Sequence, residues 1–411
     1  GDWSSDVCSS DLRTDHNLLD KSYLETKMDI KTMHTRNFIG VVLSFLSILS
    51  CVNKQDSIGI DDDMRNIYVN CKLINKHNDE PLRMSSVYDS VQYVLLDDVE
   101  QSVLIGEITE VRATDKYLYI YDRFSSTIYQ YNYSGELIQK YHHVGRGRGE
   151  YITITTFDVD TRNGNVSVYD VSSSKMLVYS SNDEFLYSFK IEEDVPRDFA
   201  LLDNGDYLFL TYDYMKGARR GIWQCDSLGA FKKQLVEIDA NFKYASGIIP
   251  SYFRHIGNKV YVKGPEDNSY LYHISSDTIV ASYKVHTGIK IPKRIRRNPL
   301  PTTNEENKGK VYSIVNYCET DSWVLLSVYD MIDNPTMLYN KRTNASYYIL
   351  SNDDEVIDDM PFVGTVITTT SEAFINIISV DMILSNQLLM EQFPTIDSNS
   401  NPVIAICRLT K

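Results

Sequence analysis

From Ser86 to the C-terminus the chain alternates short apolar runs with clusters of Asn, Gly, Asp and Ser, which is the punctuation of strands and tight turns. Tyr117-Leu118-Tyr119-Ile120-Tyr121-Asp122 returns, at an offset of about 48 residues, as Asn165-Val166-Ser167-Val168-Tyr169-Asp170. Behind the first stands Ser126-Thr127-Ile128-Tyr129-Gln130-Tyr131, and in step behind the second Ser174-Lys175-Met176-Leu177-Val178-Tyr179. A turn and a further strand then match Ser134-Gly135-Glu136-Leu137-Ile138 with Asn182-Asp183-Glu184-Phe185-Leu186. Weaker copies follow. Phe199–Leu202 leads into Tyr207–Leu210, Phe253–Ile256 into Lys259–Val262 and Tyr270–Ile274, Trp323–Val328 into Thr336–Asn340, and Ala373–Ile378 precedes the last segment.

A unit of four short strands cannot bury both of its own faces. Arranged radially, each sheet packs between two neighbours, so both alternations of a strand can be large and apolar, as they are over 117–121. The expected fold is therefore all-β, a six-bladed β-propeller of four-stranded antiparallel blades over 86–411; an open sandwich with one fortuitously similar hairpin pair is the alternative. A strict repeat would give nearly seven blades. Lys284–Lys310 shows no clear strand run and reads as a loop, which favours six. Val91–Leu96 and Val403–Arg408 each read as a strand without a blade, so they are expected to share one and close the ring.

The N-terminal region has a different character. Residues 1–27, with Ser4-Ser5-Asp6 echoed by Ser9-Ser10-Asp11, resemble a translated sequencing adapter and are read as non-native, with Met28 (or Met33) as the start. Residues 28–50 read as a signal peptide. Lys31, His34 and Arg36 are basic, and Phe38–Ser50 is uncharged and too short for the roughly 20 apolar residues of a membrane span. Ile48-Leu49-Ser50-Cys51 resembles a lipobox, which makes Cys51 the expected lipid attachment site and 51–85 an acylated tether and lead-in. The expected location is the bacterial envelope, as an outer-membrane lipoprotein, with the membrane as partner through the lipid.

Composition narrows the rest. A formal charge of -15 argues against nucleic acid. The 30 tyrosines suit strands whose rings pack while their hydroxyls find partners. Cys71, Cys225, Cys318 and Cys407 lack paired spacing, so zinc is not expected and no disulfide pairing is chosen. No cofactor is implied.

Gly145-Arg146-Gly147-Arg148-Gly149-Glu150-Tyr151, followed by Phe157-Asp158-Val159-Asp160 and Val168-Tyr169-Asp170, resembles an NHL-type propeller repeat. From about Ser86 to Lys411, strongly in two blades and faintly elsewhere, the chain is similar to the six-bladed β-propeller lipoproteins of Bacteroidales, and Asn401–Ile406 shares in that resemblance. The resemblance implies a fold and a location but no reaction. The glycine-rich stretch lacks the Gly-x-Gly-x-x-Gly and Lys-Ser/Thr of phosphate loops. It reads as a connection between blades whose glycines supply positive φ. Arg146, Arg148 and Arg123 are the candidate ligand-facing residues, the first two expected to face the ring axis and bind an anionic group.

No catalytic or metal-ligating constellation stands out. His142 and His143 are adjacent and would point to opposite faces of a strand. His77, His255, His273 and His286 have no ligand spacing, and Asp61-Asp62-Asp63 and Asp353-Asp354-Glu355 read as solvated tether and loop. The expected function is a binding or assembly module for a glycan, peptide or partner protein. The alternative is a hydrolase or lyase at the central channel, and the contents of that channel separate the two. Three or more His, Asp or Glu meeting within ligand distance of one point would favour chemistry, whereas a wide channel lined by Tyr and Arg without carboxylate pairs would favour binding.

Overall fold

The computed structural model describes residues 59–69, 84–96, 104–191, 194–211, 219–238, 252–257, 259–264, 270–276, 278–287, 313–329, 336–349 and 366–411. Their strands form six sheets, five of four strands and one of five. The innermost strands are Ile108–Ala113, Ile154–Val159, Asp198–Leu201, Phe253–Ile256, Ser313–Glu319 and Val366–Thr369, in blades one to six. They approach one another around a common axis, and the ring is a six-bladed β-propeller.

The 48-residue repeat is the outer three strands of blades one and two. Tyr117–Asp122, Thr127–Asn132 and Leu137–Tyr141 correspond to Val166–Asp170, Lys175–Tyr179 and Phe185–Lys190. Six apolar clusters fill the six interfaces between neighbouring blades. Period-two alternation sends side chains of one strand into two of them. Leu118 and Ile120 face blade six, whereas Tyr119 and Tyr121 face blade two. Likewise Leu208 and Leu210 face blade four, and Tyr207 and Phe209 face blade two. Several tyrosines are buried here with their hydroxyls satisfied. Tyr121 Oη donates to the Ile154 carbonyl at 3.2 Å, Tyr151 Oη to that of Ser126 at 2.9 Å, and Tyr179 Oη to that of Gly149 at 3.0 Å.

Closure follows the expectation. Tyr88–Leu95 pairs antiparallel with Val403–Leu409 and forms the outer strand of blade six. Other strands are not evident from the pattern, among them Gly221–Cys225, Phe231–Glu237, Ser313–Glu319 and Val366–Thr369. Two differences from the sequence reading concern blade four. Its outer strand, Ile279–Thr287, continues into the segment read as a loop from Lys284; residues 288–312 lie outside the described residues. Asp61-Asp62-Asp63 is part of a strand, Gly59–Val69, which adds parallel to Ile279–Thr287. The acidic run hid this strand, whose anchoring residues are Ile67 and Val69, buried between blades four and five. Asp353-Asp354-Glu355, His77, Cys71 and everything before Gly59 lie outside the described residues.

Among the described residues two short α-helices form an insertion in blade six. Val380–Ser385 is capped by Ser379, whose side chain accepts from Met382 N, and Gln387–Gln392 by Asn386, which accepts from Leu388 N and Leu389 N. Ile383, Leu389 and Phe393 pack into the interface of blades five and six.

Antiparallel order gives the ring two distinct ends. Turns from first to second and third to fourth strands lie at one, here the turn end. Second-to-third turns and the blade-to-blade connections lie at the other, the connection end. At the connection end a buried aspartate organises each of the first two blades. Asp122 accepts from Glu107 N, Phe124 N, Ser125 N and Ser125 Oγ, and Asp170 from Ile152 N, Thr153 N, Ser172 N and Ser173 Oγ. Each therefore ties its own turn to the strand arriving from the preceding connection, and each is followed by a serine at positive φ, Ser126 and Ser174.

Replacing Asp170 by alanine orphans the Ile152 and Thr153 amides, and a loss of about 1–3 kcal/mol in urea unfolding is expected. An unchanged midpoint would show that the aspartate does not secure the connection.

Candidate functional site

Strand alternation also brings polar side chains from several inner strands to the ring axis. Glu110 and Arg112 come from blade one, Thr156 and Asp158 from blade two, Asp198 from blade three, and Arg254 and His255 from blade four. All but His255 are buried. Arg112 is the hub. Its Nη2 lies 2.5 Å from Glu110 Oε1 and 3.7 Å from Asp198 Oδ1, and its Nε 3.2 Å from Asp158 Oδ1. Its guanidinium also lies over the Phe157 ring, 5.7 Å from the centroid.

Each carboxylate has further partners. Asp158 Oδ2 accepts from Leu201 N at 2.7 Å and lies 2.7 Å from His255 Nε2. Asp198 Oδ2 accepts from Tyr252 N at 2.6 Å and Phe253 N at 2.9 Å. Burial alone would raise the Asp158 carboxyl, but His255, Arg112 and the Leu201 amide outweigh it and hold the group below the usual range. Glu110 goes the other way. Burial pushes it up to about 8, Asp198 adds to the rise, and Arg112, Thr156 and the Phe157 amide only partly oppose it. Glu110 therefore holds its proton to higher pH than an ordinary carboxyl. The geometry agrees, because Thr156 Oγ1 lies 3.1 Å from Glu110 Oε1 and 2.9 Å from Asp198 Oδ1, and one hydroxyl proton cannot serve two bare carboxylates.

The axial cleft beside Arg112, Asp158, Arg254, His255, Thr368 and Thr369 has room for roughly a single water. Among the described residues no group of three or more His, Cys, Asp or Glu could hold a metal ion. Three carboxyl groups and a histidine lie near one another here, but they are arranged around an arginine and backbone amides and not within ligand distance of one point.

A larger cavity, about 400 Å³, opens at the turn end between blades four and five. It is lined by Asp63, Arg65, His273, Ser282, Tyr283, Asp321, Ser322, Lys341 and Arg342. Beneath it sits buried Glu319, within 3.2 Å of His273 Nε2 and accepting from Tyr283 Oη at 3.1 Å, from Tyr317 Oη, and from Lys341 Nζ at 2.5 Å. Burial would raise this carboxyl, but His273 and Lys341 outweigh it and lower it.

The residues singled out in the sequence lie elsewhere. Arg123 pairs with Glu107 through two bonds of 2.9 and 2.7 Å. Arg146 and Arg148 are exposed in the connection between blades one and two. All three belong to the connection end, opposite the cavities, and none takes part in the axial contacts. The glycines around them do not have positive φ, contrary to expectation. They are needed for space. Glu150 Oε2 folds back to accept from Gly147 N at 2.6 Å, and a Cβ on Gly145 would meet that carboxyl at 2.0 Å. A Cβ on Gly149 would lie 2.7 Å from Phe185 Cγ. The loop's own carboxylate occupies the place an anion would take.

Of the histidines, His142 lies 2.9 Å from Thr127 Oγ1 while His143 pairs with Asp183 and stacks on Tyr179, so the two share no partner. His286 stacks on Tyr68. Cys225, Cys318 and Cys407 are free and buried. The axial residues were legible only as charges at alternate positions of short apolar strands, as in Ile108-Thr109-Glu110-Val111-Arg112-Ala113.

Ring and axis together define a six-bladed propeller with a charge-filled centre. The family of domains of unknown function DUF4934 matches residues 67–408, and the chain belongs to it. It is similar to the crystal structure of a Bacteroides fragilis protein described as exported, with 20% identity and a TM-score of 0.65 over 85% of this chain and 100% of that one. A DUF4221 member from Bacteroides vulgatus shares 11% identity, with a TM-score of 0.45 over 79% of this chain and 97% of that one. Staphylococcus aureus virginiamycin B lyase shares 12%, with 0.36 over 64% and 74%. These likenesses concern the fold alone. A comparison with curated proteins found no match.

The raised carboxyl has a measurable consequence. A folded-state pKa of about 8 against 4.5 gives stability that is complete below pH 4.5 and lost as pH rises through 8. Glu110→Gln, neutral throughout, is expected to gain on the parent protein as pH rises from about 5 to about 9, read as urea midpoints. A pH-independent difference would refute a protonated Glu110.

Proposed function

We propose that this chain is an outer-membrane lipoprotein of the bacterial envelope, anchored through Cys51, whose propeller serves as a binding or assembly module for a glycan, peptide or partner protein. The observation that carries the non-catalytic part is the axial network. Glu110, Asp158 and Asp198 are engaged with Arg112, His255, Thr156 and backbone amides, and the cleft beside them admits no substrate-sized molecule. Open concave surface lies instead between blades at the turn end. The extracytoplasmic location is supported by the exported Bacteroides fragilis protein of similar fold. It is supported further by the basic, apolar and lipobox-like sequence of residues 28–51. The NHL-type character of the repeat belongs to the same reading, resting on 145–170.

A hydrolase or lyase is the second reading, favoured by the Asp158–His255 pair at 2.7 Å beside the axial cleft. Hydrolysis of a panel of ester or glycoside substrates that disappears in His255→Ala would establish it and displace the binding module.

Labelling of cells with radioactive palmitate should mark the parent protein and not Cys51→Ala; equal label in both would remove the anchor at that position. Capture from envelope extracts on the full chain should retain a partner or glycan reproducibly. Retention of nothing beyond a control propeller would count against the module.

A further inference from the structure

We infer that the turn-end cavity between blades four and five is a binding site for a neutral saccharide. This rests on reading the propeller as a binding module, and names the site and the ligand chemistry.

The cavity is built by two irregularities that coincide. The register between Gly59–Val69 and Ile279–Thr287 shifts between Ile60 and Arg65. The register between Tyr270–Ile274 and Ile279–Thr287 shifts between Leu271 and Tyr272, which skips Ser282. A bulge bends its strand and re-aims the side chains beside it. Here bulges in adjoining strands present Asp63, Arg65 and Ser282 to the same hollow. The far wall is supplied by two turns of blade five, with Asp321 and Ser322 in one and Lys341 and Arg342 in the other. Arg65 Nη1 donates to the Lys341 carbonyl and fixes the added strand against that wall.

An independent observation points to a ligand. Ser282 is 6% exposed, lines the cavity, and its hydroxyl has no hydrogen-bond partner among the described residues. A buried hydroxyl without a partner is costly and rare in folded proteins, and a ligand group in the cavity would satisfy it.

The ligand's chemistry follows from the lining. Arg65, Lys341 and Arg342 are balanced by Asp63, Asp321 and the underlying Glu319, so the wall favours neither an anion nor a cation. Exposed Asp321 accepts and exposed Arg342 donates, each through two coplanar positions. Vicinal hydroxyls, which donate and accept from adjacent carbons, match such a mixed rim. An apolar molecule would desolvate these charges without replacing their hydrogen bonds. The volume of about 400 Å³ suits a mono- or disaccharide.

The test is titration of the full chain by calorimetry with neutral disaccharides of glucose, galactose, mannose and xylose, alongside galacturonate, glucuronate and a tripeptide. Binding of at least one neutral sugar is expected. Arg342→Gln and Asp321→Asn should each weaken it tenfold or more with unchanged melting temperature, and Ser282→Ala should weaken it less. Binding of only the uronates, or only the peptide, would overturn the neutral-saccharide assignment. Sugar binding that survives both exposed substitutions would remove the site and leave the binding-module reading intact. Titrations flat for every probe would overturn this inference, while envelope capture still decides the module.

Discussion

Every blade is a sheet with two apolar faces, and nothing within a blade can cover either. That constraint organises the molecule. Leu118 and Ile120 need one neighbour while Tyr119 and Tyr121 need another, and the same division recurs at Leu208 and Tyr207. Only a closed ring supplies two neighbours to all six sheets, which is why six separate clusters hold the core. Closure also forces the inner strands together, and their polar side chains must then find one another in a space that barely admits water. The Arg112 network is the electrostatic answer to a packing demand.

Much of this was legible in the chain because the repeat unit is also the packing unit. The offset between Tyr117–Asp122 and Val166–Asp170 located two blades, and the unpaired runs at 91–96 and 403–408 located the closure. Strands such as Ser313–Glu319 and Val366–Thr369 were not legible, since a four- to seven-residue inner strand carries polar residues for the axis and loses its apolar signature. The strand Gly59–Val69 was disguised differently. Its acidic first half reads as tether, and only Ile67 and Val69 betray the buried face.

The site was less legible than the fold for a physical reason. Glu110, Asp158, Asp198 and His255 are remote in sequence and acquire meaning only when the ring converges them. Asp158 stood inside the Phe157–Asp160 motif, where a carboxylate between apolar residues is the trace of an axial position. The arginines drew attention because glycines surrounded them, yet those glycines make room for Glu150 and Phe185.

The pairing of Tyr88–Leu95 with Val403–Leu409 also governs when the molecule can exist. Tyr88–Leu95 keeps an open edge until Val403–Leu409 arrives to pair with it. The separation of the two strands in sequence makes this an entropically demanding contact. A chain cut short before Val403 would carry an unmated strand and the bare apolar flanks of blades one and five. Such surfaces are what chaperones and proteases bind. The integrity of the ring is thus tied to the presence of Val403–Leu409, and a copy that lacks this strand differs from the closed molecule in shape.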